Sequence, residues 1–165
     1  MAAPGITQHV DGGQAHIVRV APTVTAGAYT ADDCLGGEMT ISGAARWTGG
    51  SGIITGISMA AEDDDADGWA ADNVEVLIFD SNPAGTYTDN LALAVTDADA
   101  ALLVGSVVLD TKVDCGNVTL LYARNVNIPY VCSGTANLFA VAVNRGGITP
   151  EATDALTFTF HMIRD

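Results

Sequence analysis

Leu138-Phe139-Ala140-Val141-Ala142-Val143 places an apolar side chain at every position of the run. Successive side chains of a strand point to opposite faces, so such a run predicts a central strand covered by protein on both sides. Val74-Glu75-Val76-Leu77-Ile78-Phe79 has nearly the same character and predicts a second one. The last stretch reads differently. There Leu156, Phe158, Phe160 and Met162 alternate with Thr157, Thr159 and His161, the period-two pattern of a strand with one buried and one wet face. Outward from these segments, short apolar runs recur between Gly, Pro, Asn and Asp. They predict strands over Gln14–Val20, Glu38–Arg46, Gly52–Ala60, Asn73–Phe79, Ser106–Leu109, Val118–Tyr122, Val126–Val131, Asn137–Val143 and Ala155–Ile163. Eight to nine strands so phrased predict an all-β fold, a jelly roll or β-sandwich.

One stretch reads as helical: Thr96 or Asp97 caps a short turn running through Leu103 before Gly105 ends it. Between Phe79 and Thr96 lies a long excursion rich in turn formers, a surface loop of the kind in which binding proteins place contacts. Residues 1–13, with Pro4, Gly5, Gly12 and Gly13, have little periodicity and predict an extended N-terminal contact arm, while 14–165 predict one domain. Ile6, His9 and Val10 are the candidate contact residues of that arm.

Twenty acidic residues against six basic ones give a formal charge of −14. A field of that sign repels phosphate backbones and anionic headgroups, so neither nucleic acid nor membrane is expected as a partner. Residues 1–13 show no secretion signal and no apolar run approaches a membrane span, which predicts a protein made in the cytoplasm. Cys34, Cys115 and Cys132 are odd in number and lack a C-x-x-C pair, so they read as three small buried hydrophobes.

Asp63-Asp64-Asp65-Ala66-Asp67-Gly68 sets Asp63, Asp65 and Asp67 at the first, third and fifth positions of a calcium loop with glycine at the sixth. The twelfth position is Val74, and strand-like sequence surrounds the loop where helices are required. The reading is a solvated acidic hairpin loop, with Ca2+ as the alternative and no other cofactor expected. His9, His16 and His161 are read as surface or edge histidines, and no nucleophile elbow, zinc helix or nucleotide fingerprint accompanies them, so the chain is not expected to be an enzyme. Gly49-Gly50-Ser51-Gly52 lacks the lysine and helix of a phosphate cradle and reads as a turn between strands. Trp47, Trp69 and Tyr87 are candidate partner-binding aromatics, since such rings anchor protein contacts and, in lectin-like sandwiches, sugars.

Asp33-Cys34-Leu35-Gly36-Gly37, Gly49-Gly50-Ser51-Gly52-Ile53-Ile54, Leu77-Ile78-Phe79-Asp80-Ser81-Asn82-Pro83, Thr88-Asp89-Asn90 and Asp97-Ala98-Asp99 ahead of Val104-Gly105 follow in an order that resembles small structural proteins of tailed bacteriophage heads. The resemblance covers roughly residues 30–163 and is carried by turns and strand phrases, not by catalytic signatures. It implies a decoration or cement protein, a virion component on the capsid exterior, with the major capsid protein as partner and copies of itself, commonly as a trimer. The alternative reading is a carbohydrate- or calcium-binding adhesion domain of a tail or receptor-binding component.

Overall fold

The computed structural model describes residues 13–62, 73–123, 125–146, 148–150 and 155–165. Among these, the chain order is β1 (Gln14–Val20), β2 (Cys34–Ile41), β3 (Ser51–Glu62), β4 (Val74–Phe79), α1 (Asp97–Ala100), β5 (Leu103–Leu109), β6 (Thr111–Asp114), β7 (Val118–Ala123), β8 (Ile128–Val131), β9 (Leu138–Asn144) and β10 (Leu156–Arg164). They form a β-sandwich of two antiparallel sheets. One sheet has six strands, ordered β1-β10-β3-β7-β6 with β8 also on β3, and the other has four, ordered β2-β9-β4-β5.

The twelve-residue β3 organises the larger sheet. One of its edges pairs first with β8 through Ser51–Ile54 and then with β7 through Ile57–Glu62, while the other takes β10 along nearly its whole length. The register with β10 shifts between His161 and Met162, leaving Thr55 as the extra residue, whose hydroxyl donates to the His161 carbonyl at 3.2 Å.

The core lies between the sheets. Phe158 and Phe160 of β10, Ile57 and Met59 of β3, Ile78 of β4 and Ile41 of β2 are all fully buried there. Both strands expected to be central are so: β9 is flanked by β2 and β4, and β4 by β9 and β5. Every residue of β9 is buried, because the outer face of its sheet carries a second cluster. Leu77, Phe79, Phe139, Val141 and Val143 pack there against Tyr87, with Leu93, Val95 and Leu102 closing over them. The excursion after Phe79 is thus a cover for the smaller sheet as well as a surface loop.

Two carboxylates, Asp89 and Asp99, hold that cover down, and Asp33 braces the neighbouring β1–β2 loop. Asp89 accepts from the Thr25 N–H at 2.8 Å, the Tyr29 hydroxyl at 2.7 Å and the Gly36 N–H at 2.6 Å. Fully buried Asp99 accepts from the N–H groups of Ala84 and Gly85 at 2.7 and 3.0 Å and from the Tyr87 hydroxyl at 3.0 Å. Asp33 accepts from the N–H and hydroxyl of Thr30 at 2.6 and 2.9 Å. Each satisfies loop donors that a covered sheet face would otherwise strand away from water.

Several expectations are corrected. Among the described residues ten strands form, not eight or nine, because β6 is an edge strand of sequence Thr-Lys-Val-Asp with no apolar run to announce it. The second strand begins at Cys34, ahead of the expected Glu38, and ends at Ile41, where a turn replaces the expected continuation to Arg46. The helix spans Asp97–Ala100 with Thr96 as its N-cap, and Leu103 already belongs to β5. Cys34 and Cys132 are buried, but Cys115 is exposed at the β6–β7 turn, and all three are free thiols.

Candidate protein-binding face

The outer face of the six-stranded sheet follows from the register, because residues paired across antiparallel strands project on the same side. Phe158, Phe160 and Met162 point into the core, so Thr157, Thr159, His161 and Ile163 point out, and their partners on neighbouring strands point out with them. One row crosses the sheet as Arg19, Thr159, Ser58, Tyr122 and Thr111, and four of its five members carry hydroxyls. A second row runs Thr157, Ala60, Leu120, Val113. A third, toward the other end of β3, runs Ala15, Ile163, Ile53, Pro129 and is wholly apolar.

Five of the large apolar side chains exposed among the described residues stand on this face: Ile17 at 49%, Ile53 at 37%, Val113 at 40%, Val131 at 60% and Ile163 at 44%. Charge is sparse. Arg19 is the basic residue of the three rows, His161 lies across Gly56, and among the described residues two carboxylates stand on this face, both at its ends: Glu62 at the end of β3, and Asp165 just after β10, which accepts from the Ser51 hydroxyl. In a chain with twenty acidic residues, the described middle of this sheet face carries none.

Most acids of the described segments sit away from this face and are engaged. Arg145 bridges Glu75, with Nη2 2.6 Å from Oε2, and Asp32. Burial raises the Asp99 carboxyl, but hydrogen bonds from Ala84, Thr96, Tyr87 and Gly85 outweigh it and hold the group below its ordinary range. Burial first, and the Asp99 carboxylate second, push Tyr87 up to about 12. Among the described residues no group of three or more His, Cys, Asp or Glu side chains is placed to hold a metal ion.

Of the residues singled out from the sequence, Trp47 is 55% exposed, in the turn between β2 and β3, with the Arg46 guanidinium 6.0 Å from its ring centroid. Tyr87 is instead buried at 7% exposure, its ring 6.1 Å from that of Phe79, and offers a partner no surface. Its hydroxyl has a buried carboxylate to bind, which the turn-rich sequence around it did not indicate. Ile6, His9, Val10, Asp63, Asp65, Asp67 and Trp69 lie outside the described residues. Gly49 and Gly50 do occupy the expected turn, Gly49 with a φ of 75°, while Gly52 falls inside β3 beneath the Tyr130 ring. The outward rows themselves were legible only in β10, where Thr157, Thr159 and His161 alternate with the apolar residues. Which side chains stand beside them depends on pairings far apart in sequence.

The fold places the chain in the class of two-sheet antiparallel β-sandwiches. No protein family and no curated protein matches it. Among solved structures it is similar to the capsid asymmetric unit of cyanophage Pam1, at 12% identity and a TM-score of 0.38, over 99% of this chain and 91% of that one. A likeness of that size assigns neither a family nor a role.

Proposed function

We propose that the chain is a virion structural protein, a decoration or cement protein on the outer surface of a phage capsid, which acts by binding protein and not by catalysis. The observation that carries this reading is the outer face of the six-stranded sheet, partly apolar and with acids only at its ends among the described residues, in a chain of charge −14. Apolar side chains gathered on one sheet face, with Ile163, Ile53 and Pro129 adjoining in one row, are the kind of surface that protein partners cover. The resemblance of the sequence phrases to small head proteins of tailed phages supports the virion setting. The major capsid protein is the shell partner, and an acidic protein belongs outside the shell, since densely packed DNA inside would repel it.

Purified virions carrying and lacking the protein, imaged and then heated, test the proposal. We expect density on the outer capsid and a genome-release temperature that falls by several degrees when the protein is missing. Density inside the shell, or an unchanged release temperature, overturns it. The competing adhesion reading rests on Trp47 and the acidic loop at Asp63, Asp65 and Asp67. Melting with calcium and with a chelator addresses its metal arm: we expect a shift below about 10 °C, because the loop sequence lacks the bidentate acid of a tight site.

A further inference from the structure

We propose that the outer face of the six-stranded sheet is the surface through which two copies of this chain pair, face to face about a twofold axis. The inference rests on the reading of this face as a protein-binding surface and names its occupant.

Charge selects the occupant. Two copies each carrying −14 repel one another wherever their acids approach, so they meet at least cost through a surface whose middle rows hold no carboxylate and whose two acids, Glu62 and Asp165, stand at its ends. A basic partner would be drawn to the acid-bearing surfaces and would gain little from a face whose middle rows carry no acid. That scarcity of acids therefore suits contact with another acidic protein, and a second copy is such a protein.

Chemistry makes the face complementary to itself. A twofold contact sets the same patch against its own image, which requires groups that pair with their own kind. Thr159, Ser58 and Thr111 lie in one row, and a hydroxyl both donates and accepts. Ile163 and Ile53 in the apolar row bury equally well against a second apolar row. Arg19 stands on the edge strand β1, away from the centre where a like charge would oppose its copy.

Size is adequate. The nine residues of β10 run roughly 30 Å at about 3.3 Å each, and five adjacent strands span roughly 24 Å at about 4.8 Å spacing. The resulting face, on the order of 700 Å2, approaches the roughly 800 Å2 per partner of a standard specific interface.

The test is the mass of the full chain in solution across concentrations from about 1 to 100 μM, by light scattering or sedimentation. We expect twice the chain mass for the wild type. Thr159→Glu combined with Ser58→Asp, which puts four acids into the paired faces, is expected to return a single-chain mass with an unchanged circular-dichroism melt. Because those positions are half-buried, Ile163→Lys, at an exposed rim site, provides a second variant and is expected to weaken pairing at least tenfold. A wild type that stays at single-chain mass at 100 μM overturns the inference, as does a twofold mass that survives in folded variants. A threefold mass, the assembly the resemblance implies, overturns it as well. Loss of virion binding with pairing intact would fail the capsid reading alone, and virion binding by a single-chain species would fail the pairing alone.

Discussion

Asp99 and Tyr87 sit side by side with nothing local in the sequence to mark either as interior; packing against Phe79 buries the tyrosine ring, and the hydrogen bond between the two satisfies polar groups that would otherwise be stranded. Asp99→Asn replaces one acceptor oxygen by an NH2 that must face the N–H of Ala84 or Gly85. We expect the melting temperature at pH 7 to fall by on the order of 5 °C, with the difference shrinking as pH drops. The sign follows from the depressed folded-state value: the contribution is complete above the ordinary 3.8 and is lost as pH falls through the folded pKa. His16 behaves alike at higher pH. Burial and then the Arg164 charge lower it from 6.5, so its neutral form stabilises the fold above that pH and the stabilisation declines below it. Melting curves from pH 8 to 3 should therefore fall off below about 6.5, and His16→Gln should remove that first decline. Gly36 is a backbone case. Its φ of 74° belongs to the left-handed region, and a Cβ there would run into the Pro22 ring. Gly36→Ala should cost about 1–3 kcal/mol in urea unfolding.

At the scale of elements, β10 joins the core to the candidate face, because the Phe158, Phe160 and Met162 positions that anchor it inside fix the Thr157, Thr159 and His161 positions outside. Phe160→Ala should cost about 3–5 kcal/mol in urea unfolding through the cavity it leaves. A loss below about 1 kcal/mol would mean that neighbouring side chains collapse into the site. The edge strand β6 was illegible for a physical reason. Its stability comes from the β7 ladder and not from a buried face of its own, and Lys112 and Asp114 read as loop until Leu121 and Thr119 are placed opposite them. The covering excursion was legible as a loop, yet its second role depended on Leu93 and Val95 meeting a sheet face.

For the whole molecule the deciding quantity is a charge of −14 set against a sheet face whose described middle rows carry no acid. If two copies pair through this acid-poor face, the rest of each surface still repels its neighbour, and added salt screens that repulsion. The Debye length falls from roughly 30 Å at 0.01 M to roughly 10 Å at 0.1 M. Sedimentation across that range should show association strengthening with salt. Association that weakens with salt would point to opposite charges in contact and so to a different surface.

The sequence by itself determined the β class, the two strands buried on both faces, the alternation of β10 and the charge that disfavours nucleic acid as a partner. These are properties of period, composition and sum, which local order carries without knowledge of neighbours. Only the tertiary structure decided that the loop after Phe79 roofs the smaller sheet, that Tyr87 turns inward to a buried carboxylate, and that Arg19, Thr159, Ser58, Tyr122 and Thr111 stand in one row. The reason is register: β1 meets β10 across almost the full length of the chain, and which outward side chains become neighbours is set by pairings between distant strands that no local pattern encodes.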